Sequence, residues 1–327
     1  MKNSKNRLPH QINRLCLTDA GLETWLVFQR GIELREFASF ELLNNTEGRD
    51  LLESYYSDFM DMAEQAKMGF VAETVTWRAN PEWGAKLGYT LPELADINRD
   101  AVAMLDNLRK GSPNSANIFL CGNVGPRGDG YVPGKLMSVA EAQDFHSFQI
   151  DVLANARTDM VSAFTLTNVP EALGIARAAG EADVPCVISF TLETDGNLPS
   201  GQKLKDAITE MDANAFTRPA YYMINCAHPD HFAATLEEAP WMKRIRGIVA
   251  NASRCSHTEL DEADELDSGD PVDLGQALSV IRKRFAHIQV LGGCCGTDIR
   301  HMAEIAQAVG SQSFSLGATP KSPGARL

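Results

Sequence analysis

Short apolar runs rich in β-branched residues alternate along this chain with longer amphipathic segments. Apolar runs of this length are typical of parallel strands that are buried on both faces. Eight runs predict strands at Cys16–Leu22, Phe70–Trp77, Ile118–Gly125, Met160–Thr167, Pro185–Leu192, Ala220–Ala227, Gly247–Ser253 and His287–Gly293.

The segments between these runs carry apolar residues at spacings of three and four, which is the periodicity of an amphipathic helix. They predict helices at Leu51–Met68, Pro92–Lys110, Ser138–Arg157, Pro170–Ala182, Gly201–Ala213, Pro229–Leu236, Asp273–Phe285 and Asp298–Val309. Eight strands that are each followed by a helix predict an α/β fold, a single (β/α)8 TIM barrel with right-handed crossovers. A doubly wound open sheet is the alternative, because alternation alone does not prove closure.

The chain has 327 residues, a length that suits one barrel. No internal repeat or linker divides it, so residues 1–310 are expected to form one domain. Residues 311–327 are rich in serine, glycine and proline, and this composition predicts a disordered tail.

Charge and hydropathy argue against several classes of partner. The net charge is −13, from 43 acidic and 30 basic residues, and no basic cluster predicts binding to nucleic acid or to an anionic membrane. Mean hydropathy is −0.20, no apolar run is long enough to span a membrane, and the N-terminal segment is not expected to act as a secretory signal. A cytoplasmic location is therefore predicted, and the acidic run Glu259–Asp270 is interpreted as a solvated loop. The sequence predicts no particular oligomeric state.

Three of the seven cysteines lie at predicted strand ends. Cys294 and Cys295 follow two glycines where the last strand ends, and Cys226 ends the sixth strand. Strands six and eight of a barrel open on the same rim, so the three thiols are expected to meet despite their separation in sequence. Because neighbouring side chains of a strand point to opposite faces, the backbone at Cys294 and Cys295 must leave strand geometry, and the glycines would permit this.

Three thiolates with an open fourth position are typical of a catalytic zinc site, whereas structural zinc sites usually have four protein ligands. Two other interpretations of the cysteines stay open from the residues alone: small buried apolar side chains, or a redox-active pair. A disulfide framework is not expected, because the number of cysteines is odd and their spacing is irregular.

Four motifs together resemble the homocysteine S-methyltransferase family, over nearly the whole chain. Residues 17–24 (LTDAGLET) resemble the family's "DGGxET" motif, and residues 122–126 (GNVGP) resemble its "GSxGP" turn. Asn225-Cys226 is similar to its "NC" motif, and residues 292–297 (GGCCGT) match its "GGCCGT" motif. The last two motifs carry most of the resemblance.

The resemblance implies that Cys226, Cys294 and Cys295 bind a catalytic Zn²⁺ and that the substrate thiol takes the open position. Zinc would keep the thiol ionised at neutral pH, and the thiolate would attack the methyl group of a small activated donor. S-methylmethionine or a similar sulfonium or quaternary ammonium is the expected donor. Homocysteine is the expected acceptor, which implies a role in methionine biosynthesis.

Polar and aromatic residues at predicted strand ends are candidates for substrate binding, because functional residues of TIM barrels collect at this rim. The candidates are Asp19, Glu23, Thr76, Trp77 and Asn225. Trp77 offers an aromatic face for a cationic methyl donor, as do Phe28, Trp83 and Tyr89.

One position departs from the family's pattern. Phe164 stands where the family's "ETxPxxxEA" motif has a glutamate, whose role in the family is to bind the amino group of homocysteine. Phenylalanine accepts no hydrogen bond, so Glu23, Glu73 or Glu193 would have to replace that carboxylate. Two alternatives follow: a methyltransferase with a different thiol acceptor, or a non-catalytic zinc-binding barrel.

Overall fold

The computed structural model describes residues 7–214, 216, 218–263 and 265–310. Within this part of the chain, parallel strands form a closed barrel in which each strand pairs with the next and β8 pairs with β1. The strands are β1 (Cys16–Leu17), β2 (Gly69–Glu73), β3 (Ile118–Val124), β4 (Met160–Leu166), β5 (Cys186–Thr191), β6 (Tyr221–Asn225), β7 (Ile245–Ala250) and β8 (Val290–Gly293). The closed order confirms the predicted TIM barrel and excludes the doubly wound sheet.

The helices surround this barrel. They are α1 (Leu22–Thr24), α2 (Thr46–Gln65), α3 (Pro81–Leu87), α4 (Leu91–Gly111), α5 (Val139–Asn155), α6 (Val169–Glu181), α7 (Leu204–Asn214), α8 (Pro229–Phe232), α9 (His257–Asp261), α10 (Pro271–Arg284) and α11 (Ile299–Val309). Ser138 and Glu141 form a capping box that begins α5, as their spacing predicts. Helix α2 begins earlier than its apolar pattern predicts, because the Asn45 side chain accepts a hydrogen bond from the backbone N–H of Gly48.

Several strands are shorter than their apolar runs. Strand β1 has two residues, and the chain beyond it turns into α1 after the carbonyl of Asp19 accepts a hydrogen bond from the N–H of Gly293. Strand β2 ends at Glu73, where the Thr74 hydroxyl accepts a hydrogen bond from the N–H of Asn123. Hydrogen bonds of residues beyond the strands, to the Asp19 backbone and to the Thr74 side chain, therefore replace regular strand pairing at the rim where the polar candidates lie.

Two apolar clusters occupy the two sides of the sheet. The larger lies between the strands and the surrounding helices. The smaller fills the barrel interior with inward-facing strand residues, among them Cys16, Cys121 and Phe164. Cys16 and Cys121 are completely buried, which fits small apolar side chains.

The acidic run Glu259–Asp270 is not simply a solvated loop. Its first residues belong to α9, and Leu260, Asp261 and Leu266 line the cavity described below. The predicted tail, residues 311–327, lies outside the described residues. No helix in the described part of the chain has both the length and the apolar character needed to cross a membrane.

Candidate functional site

The thiols of Cys226, Cys294 and Cys295 meet at the carboxyl end of the barrel. Their three sulfur atoms all lie within 4.8 Å of one another. The sulfurs of Cys226 and Cys294 are in direct contact, as in a disulfide, and the two Cα atoms are 5.5 Å apart. The cluster can therefore hold a metal ion only when these two thiols are reduced. Three sulfur donors of this kind fit zinc, which prefers thiolate and imidazole ligands.

Hydrogen bonds to the backbone place Cys226 and Cys294 just beyond their strands. Cys226 adopts a left-handed conformation with a φ of 49°, which is unusual for a residue other than glycine. Its N–H donates to the carbonyl of Val249 over 3.2 Å, and its carbonyl accepts from His257 Nε2 over 2.7 Å. The N–H of Cys294 donates to the carbonyl of Ala250 over 2.7 Å. Strands β6 and β7 and helix α9 therefore hold these two cysteines in place.

The glycines around the vicinal cysteines act mainly through their small size. A Cβ on Gly292 would overlap the Thr18 hydroxyl, and a Cβ on Gly293 would overlap the Thr297 hydroxyl. Gly296, in contrast, has a φ of 78°, in the left-handed region that glycine adopts readily. The backbone freedom of glycine is therefore needed at Gly296, after the cysteines. Before the cysteines, Gly292 and Gly293 are needed because no Cβ fits there.

A cavity of about 440 Å³ opens beside the thiols. This volume lies within the range of small-molecule sites. Its lining includes all three cysteines and the predicted residues Asp19, Glu23, Trp77, Phe164 and Asn225. The barrel therefore gathers these candidates around one cavity.

Three carboxylates line the side of the cavity formed by β1 and β2. Burial, reinforced by the Glu23 carboxylate, raises the pKa of Asp19 well above its ordinary value. Burial also raises the pKa of Glu23, although the Ser39 hydroxyl donates a 2.7 Å hydrogen bond to this carboxylate and opposes the shift. Burial and the neighbouring Asp19 raise the pKa of Glu73. A cation in the cavity would favour the ionised form of all three.

The aromatic candidates separate into two groups. Trp77 and Phe28 line the cavity, and Phe28 is 46 % exposed. The Arg78 guanidinium lies 4.0 Å from the Trp77 ring centre and 3.9 Å from that of Trp83, so one face of Trp77 is already covered by a cation. Tyr89 is away from the cavity lining, and its hydroxyl donates to Glu41.

Asn225 and Thr76 both have structural hydrogen bonds. The Asn225 amide oxygen accepts from Ser189 Oγ over 2.6 Å and from the N–H of Thr165 over 3.0 Å, so this side chain joins β4, β5 and β6. Thr76 is fully buried, and its hydroxyl donates to the carbonyl of Asn123 over 2.7 Å. Because β2 ends early, Thr74 rather than Thr76 lines the cavity. Thr76 itself is not part of the cavity lining, and substrate contact by this residue stays a prediction.

Phe164 lies on the floor of the cavity, is 5 % exposed and packs with the apolar cluster inside the barrel. Glu193, one of the proposed replacements for a carboxylate there, is not part of the cavity lining. Its Oε1 lies 3.2 Å from His257 Nδ1. Glu23 and Glu73 do line the cavity and remain candidates for that role.

Two residues near the thiols were not identified from the sequence. The Tyr131 hydroxyl lies 3.4 Å from the Cys295 sulfur, and its ring stacks on His257 with ring centres 4.0 Å apart. His257 also contacts the carbonyl of Cys226. The stacked pair therefore contacts both halves of the thiol cluster, Cys226 after β6 and the Cys294–Cys295 pair after β8. Both residues lie beyond the ends of the strands, in segments without the periodicity that predicts an inward-facing side chain.

Comparisons with known proteins agree with the fold and the thiol motifs. A family model described as "Homocysteine S-methyltransferase" matches residues 16–309. Selenocysteine Se-methyltransferase of Brassica oleracea var. italica is 28 % identical over 168 residues, which cover 50 % of this chain and 47 % of that relative, so the match spans about half the relative's length. Homocysteine S-methyltransferase 1 of Zea mays is 24 % identical over 64 % of this chain and 70 % of its own length.

Solved structures show the same fold. The metallated form of the homocysteine methyltransferase MmuM from Escherichia coli superposes with a TM-score of 0.70 at 20 % identity, covering 91 % of this chain and 96 % of that one. Its oxidized form superposes with a TM-score of 0.72 at 21 % identity, covering 92 % and 98 %. The family match extends over nearly the whole described barrel and includes all three clustered cysteines. This chain therefore belongs to the homocysteine S-methyltransferase family.

Proposed function

We propose that this protein transfers a methyl group from a small sulfonium or quaternary ammonium donor to a thiol, in a site where Cys226, Cys294 and Cys295 bind Zn²⁺. The observation that carries the proposal is the gathering of three sulfurs within 4.8 Å at the wall of the cavity. Among the described residues, no histidine, aspartate, glutamate or further cysteine joins these three cysteines as a fourth ligand. Three protein ligands beside an open cavity favour a catalytic site over a closed structural site.

Zinc, when bound, would supply a Lewis acid that lowers the pKa of a thiol and keeps it ionised at neutral pH. In the transfer itself, the acceptor sulfur forms a bond to the methyl carbon while the bond from that carbon to the donor breaks. The donor keeps the electron pair of the broken bond and leaves as a neutral thioether or amine. No general acid is required for this departure, so the protein acts by binding, orienting and excluding water.

The charge of the cavity favours a cationic donor. Among the described residues of its lining, seven are acidic and Arg78 is the one basic residue. The acidic residues are Asp19, Glu23, Glu73, Asp129, Asp261, Glu265 and Asp267. Such a lining raises the local concentration of cations and disfavours anions. S-methylmethionine, which carries an extra positive charge on sulfur, is the donor we propose to test first.

Homocysteine is the acceptor we propose to test first, since homocysteine and selenocysteine methyltransferases are among this chain's relatives. Phe164 offers no hydrogen-bond acceptor, so acceptors other than homocysteine belong in the same assay. The cytoplasmic location predicted from the sequence stays a prediction.

The test compares zinc content and methyl transfer in the wild type and in a Cys294→Ser/Cys295→Ser variant. The proteins are purified under reducing conditions, so that Cys226 and Cys294 are free to bind metal. We expect about one zinc per wild-type chain and loss of both zinc and product in the variant. Cys255→Ser is the matched control, because Cys255 is a free and partly exposed thiol outside the three-cysteine group.

The outcomes separate the alternatives. Zinc retention with no turnover for any thiol and donor would favour a non-catalytic zinc-binding barrel. If reduced wild-type protein binds no zinc and the double substitution leaves activity unchanged, the proposed site is wrong. Loss of zinc in the Cys255 variant would show that the ligand set extends beyond the three clustered thiols.

A further inference from the structure

The connection between β3 and α5 crosses the mouth of the barrel. In the closed order of the described strands, β3 and β7 lie opposite each other, with three strands between them on either side. Tyr131, which follows β3, nevertheless stacks on His257, which follows β7. His257 Nε2 is in turn hydrogen-bonded to the carbonyl of Cys226, just after β6. The chain that carries Tyr131 therefore spans the opening of the cavity.

This crossing segment has few connections to the rest of the barrel. Within the described part of the chain, residues 126–137 make no hydrogen bond between backbone groups. Side chains hold the first part of the segment instead. The N–H of Arg127 donates to Glu171 over 2.7 Å, and the carbonyl of Gly128 accepts from Arg78 over 2.9 Å. Backbone that lacks regular hydrogen bonds opens locally at a low cost in free energy.

The glycines of the segment divide it into a packed part and two loose parts. A Cβ on Gly130 would overlap the Thr165 side chain, so the chain lies close against the barrel at this residue. A Cβ on Gly128 or Gly134 would meet open space, and Gly134 has a φ of 56°, in the left-handed region that glycine adopts readily. The packed residues are thus flanked by two positions at which the chain can turn.

The packed part covers the thiol cluster. Asp129, Gly130 and Tyr131 form part of the cavity lining, and the Tyr131 hydroxyl lies 3.4 Å from the Cys295 sulfur. Movement of the segment would remove this wall of the cavity and uncover the sulfur. Loops that close over a bound substrate exclude water from the reacting groups.

We propose that residues 127–136 form a lid over the thiol cluster, and that the stacking of Tyr131 on His257 holds this lid closed. The closed lid forms one wall of the cavity, and the open lid admits small molecules to the sulfurs. The proposal concerns access to the thiols. It therefore holds whether or not the protein transfers methyl groups.

Trypsin cleavage after Lys135 measures opening of the lid in the reduced full-length protein. Lys135 is exposed, and a protease acts on it when the surrounding chain leaves the closed position. We expect Tyr131→Ala to accelerate this cleavage by about 2- to 10-fold, because one ring stack is lost. Tyr131→Phe keeps the ring and should be cleaved like the wild type. Val132→Ala is the matched control, since Val132 is the exposed neighbour of Tyr131.

Alkylation by iodoacetamide tests whether the lid covers the thiols. The protein is reduced and freed of metal with a chelator, and each cysteine is followed by peptide mass spectrometry. We expect Cys295 to react faster in Tyr131→Ala by a factor similar to that for cleavage. Cys255, a free and partly exposed thiol outside the three-cysteine group, should react at an unchanged rate. Tyr131→Phe separates an effect of the hydroxyl on the Cys295 sulfur from the effect of the ring.

A double-mutant cycle tests the partner of the ring. His257→Ala removes the other half of the stack. In that background, Tyr131→Ala should accelerate cleavage after Lys135 by less than 2-fold, because no stack remains to be lost. An equal effect of Tyr131→Ala in both backgrounds would show that His257 does not hold the lid closed.

Urea distinguishes a lid from a rigid cover. At urea concentrations below the unfolding transition, cleavage of the wild type after Lys135 should depend only weakly on urea, since local opening exposes little surface. A dependence as steep as that of global unfolding would overturn the inference, and this result does not require any variant to fold. The inference is also overturned if Tyr131→Ala leaves both rates unchanged. It is equally overturned if Tyr131→Phe or Val132→Ala accelerates cleavage as much as Tyr131→Ala.

Discussion

His257 connects the two halves of the thiol cluster without belonging to it. Its Nε2 donates to the carbonyl of Cys226 over 2.7 Å, and its ring stacks on Tyr131, whose hydroxyl contacts the Cys295 sulfur. The carbonyl belongs to a residue in the left-handed conformation, which other interactions must maintain. Replacing His257 with alanine should therefore disturb both the position of Cys226 and the contact to Cys295.

The expected magnitude follows from the contacts that are lost. Leaving the buried carbonyl of Cys226 without its donor costs about 1–3 kcal/mol. Loss of the stacked ring pair costs about 0.5–1.5 kcal/mol more. We therefore expect His257→Ala to lower the free energy of unfolding by about 2–4 kcal/mol. If the three cysteines bind zinc, loss of this outer support should also weaken zinc affinity by about 10- to 100-fold.

Zinc affinity is measured by competition with a chelator, and stability by denaturant unfolding of the metal-free protein. His287→Ala is the matched control, because His287 Nε2 also donates to a backbone carbonyl, that of Met242, over 2.9 Å. His287 precedes β8 at the opposite end of the barrel, so its loss should reduce stability without affecting zinc. Zinc affinity of His257→Ala equal to that of the wild type, or an equal loss of zinc affinity in both variants, would contradict this prediction.

Two further predictions concern residues close to the vicinal cysteines, namely Asp298, which caps α11, and Gly293, which ends β8. Asp298→Ala removes the side-chain cap of α11 and should lower the free energy of unfolding by about 1–2 kcal/mol at neutral pH. Although burial opposes it, the His301 side chain beside Asp298 and hydrogen bonds from Arg300 hold the pKa of Asp298 far below its ordinary value. The ionised Asp298 therefore stabilises the fold fully above about pH 4, and this stabilisation is lost as the pH falls below that value. In urea unfolding, the difference in free energy of unfolding between Asp298→Ala and the wild type should become smaller in acid. Gly293→Ala should cost about 1–3 kcal/mol, because its Cβ would overlap the Thr297 hydroxyl. In calorimetric melts, Gly111→Ala should cost far less, since a Cβ there meets open space; equal losses would contradict the packing argument.

The sequence predicts the barrel and the three thiols because both depend on local patterns. Apolar runs identify the strands, and strand ends of a parallel barrel share one rim, so the sequence alone places residues such as Cys226 and Cys294 together. The same rule places Asp19 and Glu73 on that rim. The alternation of strands and helices does not by itself distinguish a closed barrel from an open sheet. The pairing of β1 with β8 shows that the barrel is closed.

The residues that the sequence did not reveal depend on contacts between segments. Tyr131 and His257 lie in separate connections after β3 and β7, and nothing in either segment indicates that their rings stack. Thr76 was predicted to contact substrate because its apolar run extends to Trp77. The strand ends at Glu73, and the hydroxyls of Thr74 and Thr76 then bond to each other and to β3, which leaves Thr74 in the cavity lining and Thr76 fully buried. Where a strand ends is thus decided by its neighbours rather than by its own residues.

Five of the seven acidic residues of the cavity fall into two groups with different physical roles. Asp129, Asp261 and Asp267 are exposed, so their fields are screened by salt and can at most attract cations from solution. Asp19 and Glu73 are buried, where a charge interacts more strongly and an unmet hydrogen bond is costly. A methyl transfer from a cationic donor to a thiolate removes charge from the reacting atoms, so strong fixed charges close to them would stabilise the reactants more than the transition state. A charged carboxylate of the buried pair placed against the methyl-bearing cation would therefore slow the transfer, whereas the exposed group attracts the donor without this penalty.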